Sequence, residues 1–95
     1  MNGFLEDEMR SKFGVRLHVA RRAAGFSRQT SFASALGVSP SRLSQWERGK
    51  RMPDMIYLGK ICTITGVTLD WLYFGNAASM PYGMMQRIHA LQGGD

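Results

Sequence analysis

Apolar residues recur at three- and four-residue spacing through most of the chain, whereas the strict alternation that is typical of strands is scarce. The first helical face predicted from this spacing consists of Phe13, Leu17, Ala20 and Ala24. Gly25 follows it, in the position where helices commonly end. The pattern therefore predicts an all-α protein with an amphipathic first helix.

The next two predicted helices lie close together in the chain. One covers about residues 28–36 and ends at Gly37, which tolerates the left-handed backbone of a tight turn. The other covers about residues 40–48, with Ser39 as its N-cap and Pro40 at its first position. Their buried residues are predicted to be Phe32, Ala33, Leu36, Leu43 and Trp46. The small Ala33 side chain would let the two helices meet at a sharp angle.

Two further helices follow. The fourth begins at Pro53–Asp54 and ends at Gly66. Its shared apolar face consists of Met55, Leu58, Ile61 and Cys62. Thr68 is predicted to cap a short fifth helix, Leu69–Phe74, which Gly75 ends. The expected fold is thus a compact all-α domain of about five helices.

The chain beyond the fifth helix is less regular. Met80–Gly83 is predicted to be a turn. A weak amphipathic stripe at Met84, Ile88 and Leu91 favours an extra C-terminal helix. We therefore divide the chain into a five-helix domain, residues 1–75, and a C-terminal tail, residues 76–95. The tail is the candidate segment for dimerisation or for binding a protein partner.

Positive charge is concentrated in the middle of the chain. Residues 10–60 hold eleven of the twelve Lys and Arg residues but only two acidic ones, Glu47 and Asp54, so this part carries +9. The two ends together carry −4, which leaves a net charge of +5. A basic surface of this kind is typical of proteins that bind a polyanion. The charge alone leaves DNA, RNA, anionic lipid and an ordinary solvated face as candidates.

Few residues suggest other chemistry. The single cysteine, Cys62, forms no internal disulfide, and together with the distant His18 and His89 it makes no metal cluster, so no metal or cofactor is expected. No acid or thiol is spaced to assist His18, and we expect no enzyme. The acidic N-terminus does not resemble a signal peptide, and no segment approaches the ~20 apolar residues that span a bilayer. A cytoplasmic location without a membrane role is the expectation.

The predicted third helix has two different sides. At about 100° per residue, Leu43 and Trp46 share one side and Arg42 falls at its boundary. The opposite side consists of Ser41, Ser44, Gln45 and Arg48. Short polar side chains suit hydrogen bonding to base edges, whereas an ordinary solvated face usually carries more Glu and Lys.

The segment QTSFASALGVSPSRLSQWERGKRMPD, followed by GVTLDWLYFG, resembles the lambda-repressor-like helix-turn-helix family of the Cro and Xre type. The resemblance covers roughly residues 10–75. It implies a five-helix domain whose third helix enters the major groove of double-stranded DNA.

The resemblance also implies roles for single residues. Those expected at base edges are Pro40, Ser41, Arg42, Ser44 and Gln45. Those expected at DNA phosphates are Arg28, Gln29, Ser39, Arg48, Lys50 and Arg51. Glu47, an acid within a basic surface, is expected to form an ion pair with Arg21 of the first helix and so to orient the recognition helix.

Three features depart from the family pattern. The segment from Phe26 to Gln29 is one residue longer than usual, so Arg28 and Gln29 could exchange roles. Thr65 stands where the family generally has leucine, and Gly59 interrupts the fourth helix. Both substitutions are expected to loosen that helix.

The implied function is a sequence-specific DNA-binding transcriptional regulator of phage or bacterial type, expected to be a repressor. One recognition helix reads few base pairs, so a homodimer on an inverted-repeat operator is expected, with the two helices ~34 Å apart. The candidate dimer surface consists of Tyr73, Phe74, Met80, Tyr82, Met84, Met85, Ile88 and Leu91, unless the tail folds back over its own core. The alternative is an antitoxin or other protein-interaction module that also binds its own promoter. A phage repressor, a restriction–modification controller and an antitoxin all fit, with operator, effector and sign of regulation left open.

Overall fold

Four α-helices, a π-helical segment and a fifth α-helix follow one another in the computed structural model, which describes residues 3–93. Their bounds are α1 Gly3–Ala23, α2 Gln29–Leu36, α3 Pro40–Glu47, α4 Met55–Thr65, the π-helical segment Asp70–Phe74, and α5 Tyr82–Leu91. No strand occurs among the described residues, and the all-α prediction is confirmed. None of the helices described is both long and apolar enough to cross a membrane.

α1 extends further toward the N-terminus than the apolar stripe indicates. Its first turns expose Phe4 and Leu5, which are 80% and 62% accessible, so no buried face marks this part in the sequence. Charged pairs one turn apart support it instead: Arg10 pairs with Asp7, and Lys12 pairs with Glu8. The extension is thus a helix held by local pairs rather than by packing.

The core lies where α1 meets α3, the π-helical segment and α5, and α2 packs against α3. Its most completely buried side chains are Trp46, Phe13, Phe32, Leu17, Leu36, Leu43, Ile61, Leu72 and Ile88. Most of the stripe residues predicted for the first three helices are among them. The apolar periodicity of these helices therefore reports their packing face directly.

One expectation for α4 needs correction. Met55 was predicted on the buried face but is 71% exposed, because it occupies the first turn, beyond the reach of the core. Thr65 is bonded within the helix end: its hydroxyl donates to Ile61 O at 2.7 Å and accepts from Val67 N at 3.3 Å. A buried hydroxyl with both bonds made replaces leucine packing with a hydrogen-bonded helix end.

The tail folds back over α1. Met80, Met84 and Ile88 are at most 9% exposed, so these three residues belong to the core and not to the free apolar surface that the sequence predicted. The Arg87 side chain donates from Nε to Ala23 O, 2.9 Å away, at the C-terminal end of α1. The extra C-terminal helix is present, but it begins at Tyr82, inside the predicted turn.

The packing of α5 predicts a measurable contribution to stability. Ile88→Ala should lower the free energy of unfolding by about 2–5 kcal/mol, because it empties a buried site. Tyr82→Ala on the exposed side of the same helix should change it by no more than about 0.5 kcal/mol. Urea denaturation measures both values, and an equal, small effect would show that α5 is not docked in solution.

Candidate nucleic-acid interface

α2 and α3 are joined by a tight turn. Gly37 has φ +81°, and its N–H donates to Ala33 O at 2.8 Å, which closes α2. Ser39 then starts α3, because its hydroxyl accepts from Arg42 N at 3.1 Å while Pro40 fills the first helical position. The turn residues therefore set where α3 begins and the direction in which it leaves α2.

The inner and outer sides of α3 are clearly separated. Leu43 and Trp46 are 0% and 2% exposed and hold the helix in the core. On the outer side Ser41 is exposed, and Ser44 and Gln45 are half-buried. Hydroxyl and amide groups here can both donate and accept hydrogen bonds, which is what reading base edges requires.

Arg42 lies to one side of this polar face. Its guanidinium carbon is 5.8 Å from the Trp46 ring centre and 5.4 Å from that of Tyr57, in cation–π contact with α4. Lys60 approaches the same Tyr57 ring at 4.9 Å and donates to Leu36 O at 3.3 Å. Arg42 was predicted at the boundary between the two sides of α3. Its side chain therefore lies toward α4, away from Ser41 and Ser44.

Four side chains meet at the C-terminal end of α3. The Glu47 carboxylate accepts from Arg21 Nε at 2.7 Å and from Gln29 Nε2 at 3.0 Å, and His18 Nδ1 lies 3.0 Å from Glu47 Oε1. The Arg21 and Glu47 side chains are each only 4% exposed. Arg21 also donates to Phe26 O at 2.8 Å, so every charged atom is partnered. The acid expected to pair with Arg21 thus ties α3 to both α1 and α2. We call these four side chains the Glu47 cluster.

The start of α2 places Gln29 in the Glu47 cluster. Its amide nitrogen donates one hydrogen to Glu47, which leaves its second N–H as the donor it can offer to a phosphate. Arg28, the exposed residue before it, makes no side-chain cap to the helix. This arrangement matches the exchange of roles that the longer Phe26–Gln29 segment suggested: Arg28 points to solvent while Gln29 faces inward.

Two glycines, Gly14 and the Gly49 that follows α3, let this part of the chain lie directly against α1; the sequence marked Gly49 only as a helix end. A Cβ on Gly14 would lie 2.8 Å from the Trp46 carbonyl oxygen and still closer to that of Glu47. Gly49, with φ +72°, passes the backbone of Ser11, where a Cβ would come within 2.9 Å of Cα. For Gly14, the signal in the sequence was a glycine inside the amphipathic first helix.

The segment after α3 is basic and exposed. Arg48, Lys50 and Arg51 all face solvent. Their backbone is held at the helix end, because Lys50 N donates to Gln45 O at 2.9 Å. A fixed backbone with free cationic side chains suits contact with phosphates beside the face of α3.

Other basic residues serve the fold. The Arg16 side chain donates from Nη1 to Leu72 O and Tyr73 O, each 3.2 Å away, at the end of the π-helical segment. Burial lowers the pKa of this guanidinium. The basic stretch is therefore only partly a surface for an anion.

Comparison with known proteins identifies the family of this chain. A family model described as helix-turn-helix matches residues 17–72, from within α1 to the π-helical segment. The chain belongs to the Cro/Xre-type helix-turn-helix family. In it, α2 and α3 are the two helices of the motif, and the match leaves out α5. Regulators of this family are not enzymes.

Three relatives carry regulator names. The SPbeta prophage-derived uncharacterized HTH-type transcriptional regulator YonR of Bacillus subtilis (strain 168) is 38% identical over 66 residues, 70% of this chain and 60% of that protein. The uncharacterized HTH-type transcriptional regulator YazB of the same bacterium is 33% identical over 60 residues, 63% of this chain and 86% of that protein. A third, from Haemophilus influenzae, is 37% identical over 46 residues, 48% of this chain but only 19% of its own length. No solved structure gives a significant match.

Substitution by alanine is predicted to have opposite effects at two helical glycines, one at the contact of α1 with α3 and one in open space on α4. Gly14→Ala should destabilise the protein by about 1–3 kcal/mol, since the new methyl group meets backbone that has no room to move. Gly59→Ala, with nothing within 4 Å of the added Cβ, should stabilise it by about 0.5–1 kcal/mol through helix propensity. Thermal and urea unfolding measure the pair. A stabilising Gly14→Ala would contradict the close approach.

Proposed function

We propose that this helix-turn-helix protein is a sequence-specific regulator of transcription that inserts α3 into the major groove of double-stranded DNA. The observation that carries the proposal is the division of α3 into a buried side, Leu43 and Trp46, and a short polar side that stays accessible. Ser41, Ser44 and Gln45 read base edges, and Pro40 lies where it can contact a thymine methyl group. The Glu47 cluster removes the one acid of α3 from this surface.

Phosphate contacts come from both sides of the polar face. Arg28 stands before α2, and Arg48, Lys50 and Arg51 follow α3, all exposed. Ser39 is exposed at the first turn of α3, and the exposed Arg42, stacked on Tyr57 at the edge of the polar face, contacts a base edge from there. Each neutralised phosphate releases counterions, so affinity falls steeply with salt. The expected action is repression by occluding a promoter, in the bacterial cytoplasm at the nucleoid.

A homodimer on an inverted repeat completes the proposal. An apolar groove of about 430 Å³ lies between the start of α4 and the π-helical segment. Its lining includes Met52, Met55, Leu69 and Phe74, and the last three expose 71%, 40% and 67% of their surface. Since much of the tail is buried, this groove supports dimerisation better than the tail does. An antitoxin-like partner bound through the tail is the second candidate, favoured only by the exposed Tyr82.

DNA reading is tested by two substitutions on sites selected from random duplexes. Gln45→Ala should weaken binding by about 1–3 kcal/mol on the selected site and little on mixed-sequence DNA, because it removes a base contact. Lys50→Ala should weaken binding to both duplexes about equally, because it removes a phosphate contact. Fluorescence anisotropy titrations of the wild type and both variants on the two duplexes give the six affinities.

Two outcomes would count against this reading. Equal losses of Gln45→Ala on both duplexes would remove Gln45 from base recognition. Failure of the wild-type protein to prefer any sequence would end the proposal of a sequence-specific regulator.

The dimer surface is tested by a matched pair of exposed aromatic residues. Phe74→Ser in the groove should shift the protein to monomer, whereas Tyr82→Ser on α5 should leave the dimer intact. Sedimentation at micromolar concentration, with and without DNA, measures the state. Dissociation by Tyr82→Ser alone would assign the interface to the tail, and a wild-type monomer under both conditions would exclude the dimer.

A further inference from the structure

His18 is far more open to solvent than the two charged members of the Glu47 cluster. Its side chain is 45% exposed, against 4% for both Arg21 and Glu47. The sequence favours a surface or DNA-proximal position for it, and the family resemblance assigns it no specific contact. Its neighbours nevertheless place it at the junction of α1, α2 and α3, beside the proposed DNA surface.

One ring nitrogen of His18 is already committed. Nδ1 lies 3.0 Å from Glu47 Oε1 and 3.1 Å from Arg21 Nη2. Gln29 Nε2 donates to the same Glu47 oxygen, so the imidazole sits next to the first residue of α2. These contacts fix the ring from the inside. Within residues 3–93, Nε2 takes part in no hydrogen bond and is left for an external partner.

The ring lies among charges of both signs. α1 contributes Arg21 in contact and the exposed Arg22 one turn from His18, α3 contributes Glu47, and α2 contributes the neutral Gln29 amide. Arg21 and Glu47 cancel, so Arg22 leaves one net positive charge near a neutral imidazole. Protonation adds a second positive charge next to the start of α2, which the exposed Arg28 precedes and where the proposed function places a phosphate. Histidine is the side chain that makes this change between about pH 8 and pH 5.

We propose that His18 is a further DNA-contacting residue, whose protonated ring binds a backbone phosphate near the start of α2 and makes affinity rise as pH falls. The inference rests on the proposed function, since it requires that this face meets duplex DNA. A phosphate favours the charged imidazole, so the complex takes up a proton on binding. Affinity is therefore higher at the acidic end of the histidine range and lower at the alkaline end.

The test uses the full chain and a short mixed-sequence duplex, because a phosphate contact needs no operator. Between about pH 8 and pH 6 the wild-type protein should bind up to about five-fold more tightly, the range of one exposed charge pair. The slope of log affinity against log salt should become steeper by about 0.9 at the lower pH. His18→Gln keeps an amide near Glu47 but cannot gain charge, and it should remove both effects.

Two more variants sharpen the test. His18→Lys carries its charge throughout and should bind at pH 8 about as tightly as the wild type binds at pH 6. His89→Gln changes the other histidine, at the far end of α5, and should leave the pH effect unchanged. Circular dichroism at both pH values verifies that the variants are folded.

The outcomes separate this inference from the proposed function. A wild-type affinity that is independent of pH, or a pH effect that survives in His18→Gln or disappears in His89→Gln, overturns the role of His18 alone. If the His18 variants unfold, His89→Gln decides it: a pH effect and salt slope kept in that variant support the role of His18, and their loss overturns it. Absence of wild-type binding to any duplex at either pH overturns the proposed function itself.

Discussion

The structure depends on how the C-terminal end of α3 is held against α1. Gly14 allows backbone contact there, and the Glu47 carboxylate receives Arg21 from α1 and Gln29 from α2. Removing two nearly fully buried charges from water is unfavourable, and their attraction in the interior does little more than compensate. The pair therefore contributes mainly to geometry: α3 has one orientation relative to the other two helices, and its polar face points one way.

The same contacts explain how a basic protein carries an acid in its recognition helix. Arg21 neutralises the charge of Glu47 inside the fold. The electrostatic potential at the surface of this region is therefore set by the exposed cations. Two of the cations in residues 10–60 also serve the fold, because Arg16 and Lys60 donate to carbonyl oxygens at helix ends. Together with the buried Arg21, they show that the charge of +9 overstates the surface available to an anion. Exposed cations stand before α2 and after α3.

Much of the fold and part of the site follow from periodicity and local chemistry. The stripes of the first three helices, the Ser39 cap and the exposed side of α3 are local properties, and each follows from spacing alone. The roles of Gly14 and Gln29 do not, because they depend on which backbone or carboxylate lies opposite in the folded chain. The burial predicted for Met55 was wrong, because an apolar stripe does not show where along α4 the opposing surface of the core ends. The burial of the tail could not be predicted either, because the tail packs on the side of α1 that the other elements leave uncovered, and a linear pattern does not show which side that is.

The loop between α3 and α4 joins two surfaces that are otherwise separate. Lys50 and Arg51 lie at its beginning among the proposed phosphate contacts, and Met52 and Pro53 line the apolar groove immediately afterwards. In the proposed dimer, the partner would press on the same short segment that touches DNA. If DNA binding holds this segment in one conformation, dimerisation no longer has to pay that loss of conformational entropy, and the reverse is also true. DNA binding and dimerisation would then reinforce each other through the loop, with Gly49 fixing its start on α1.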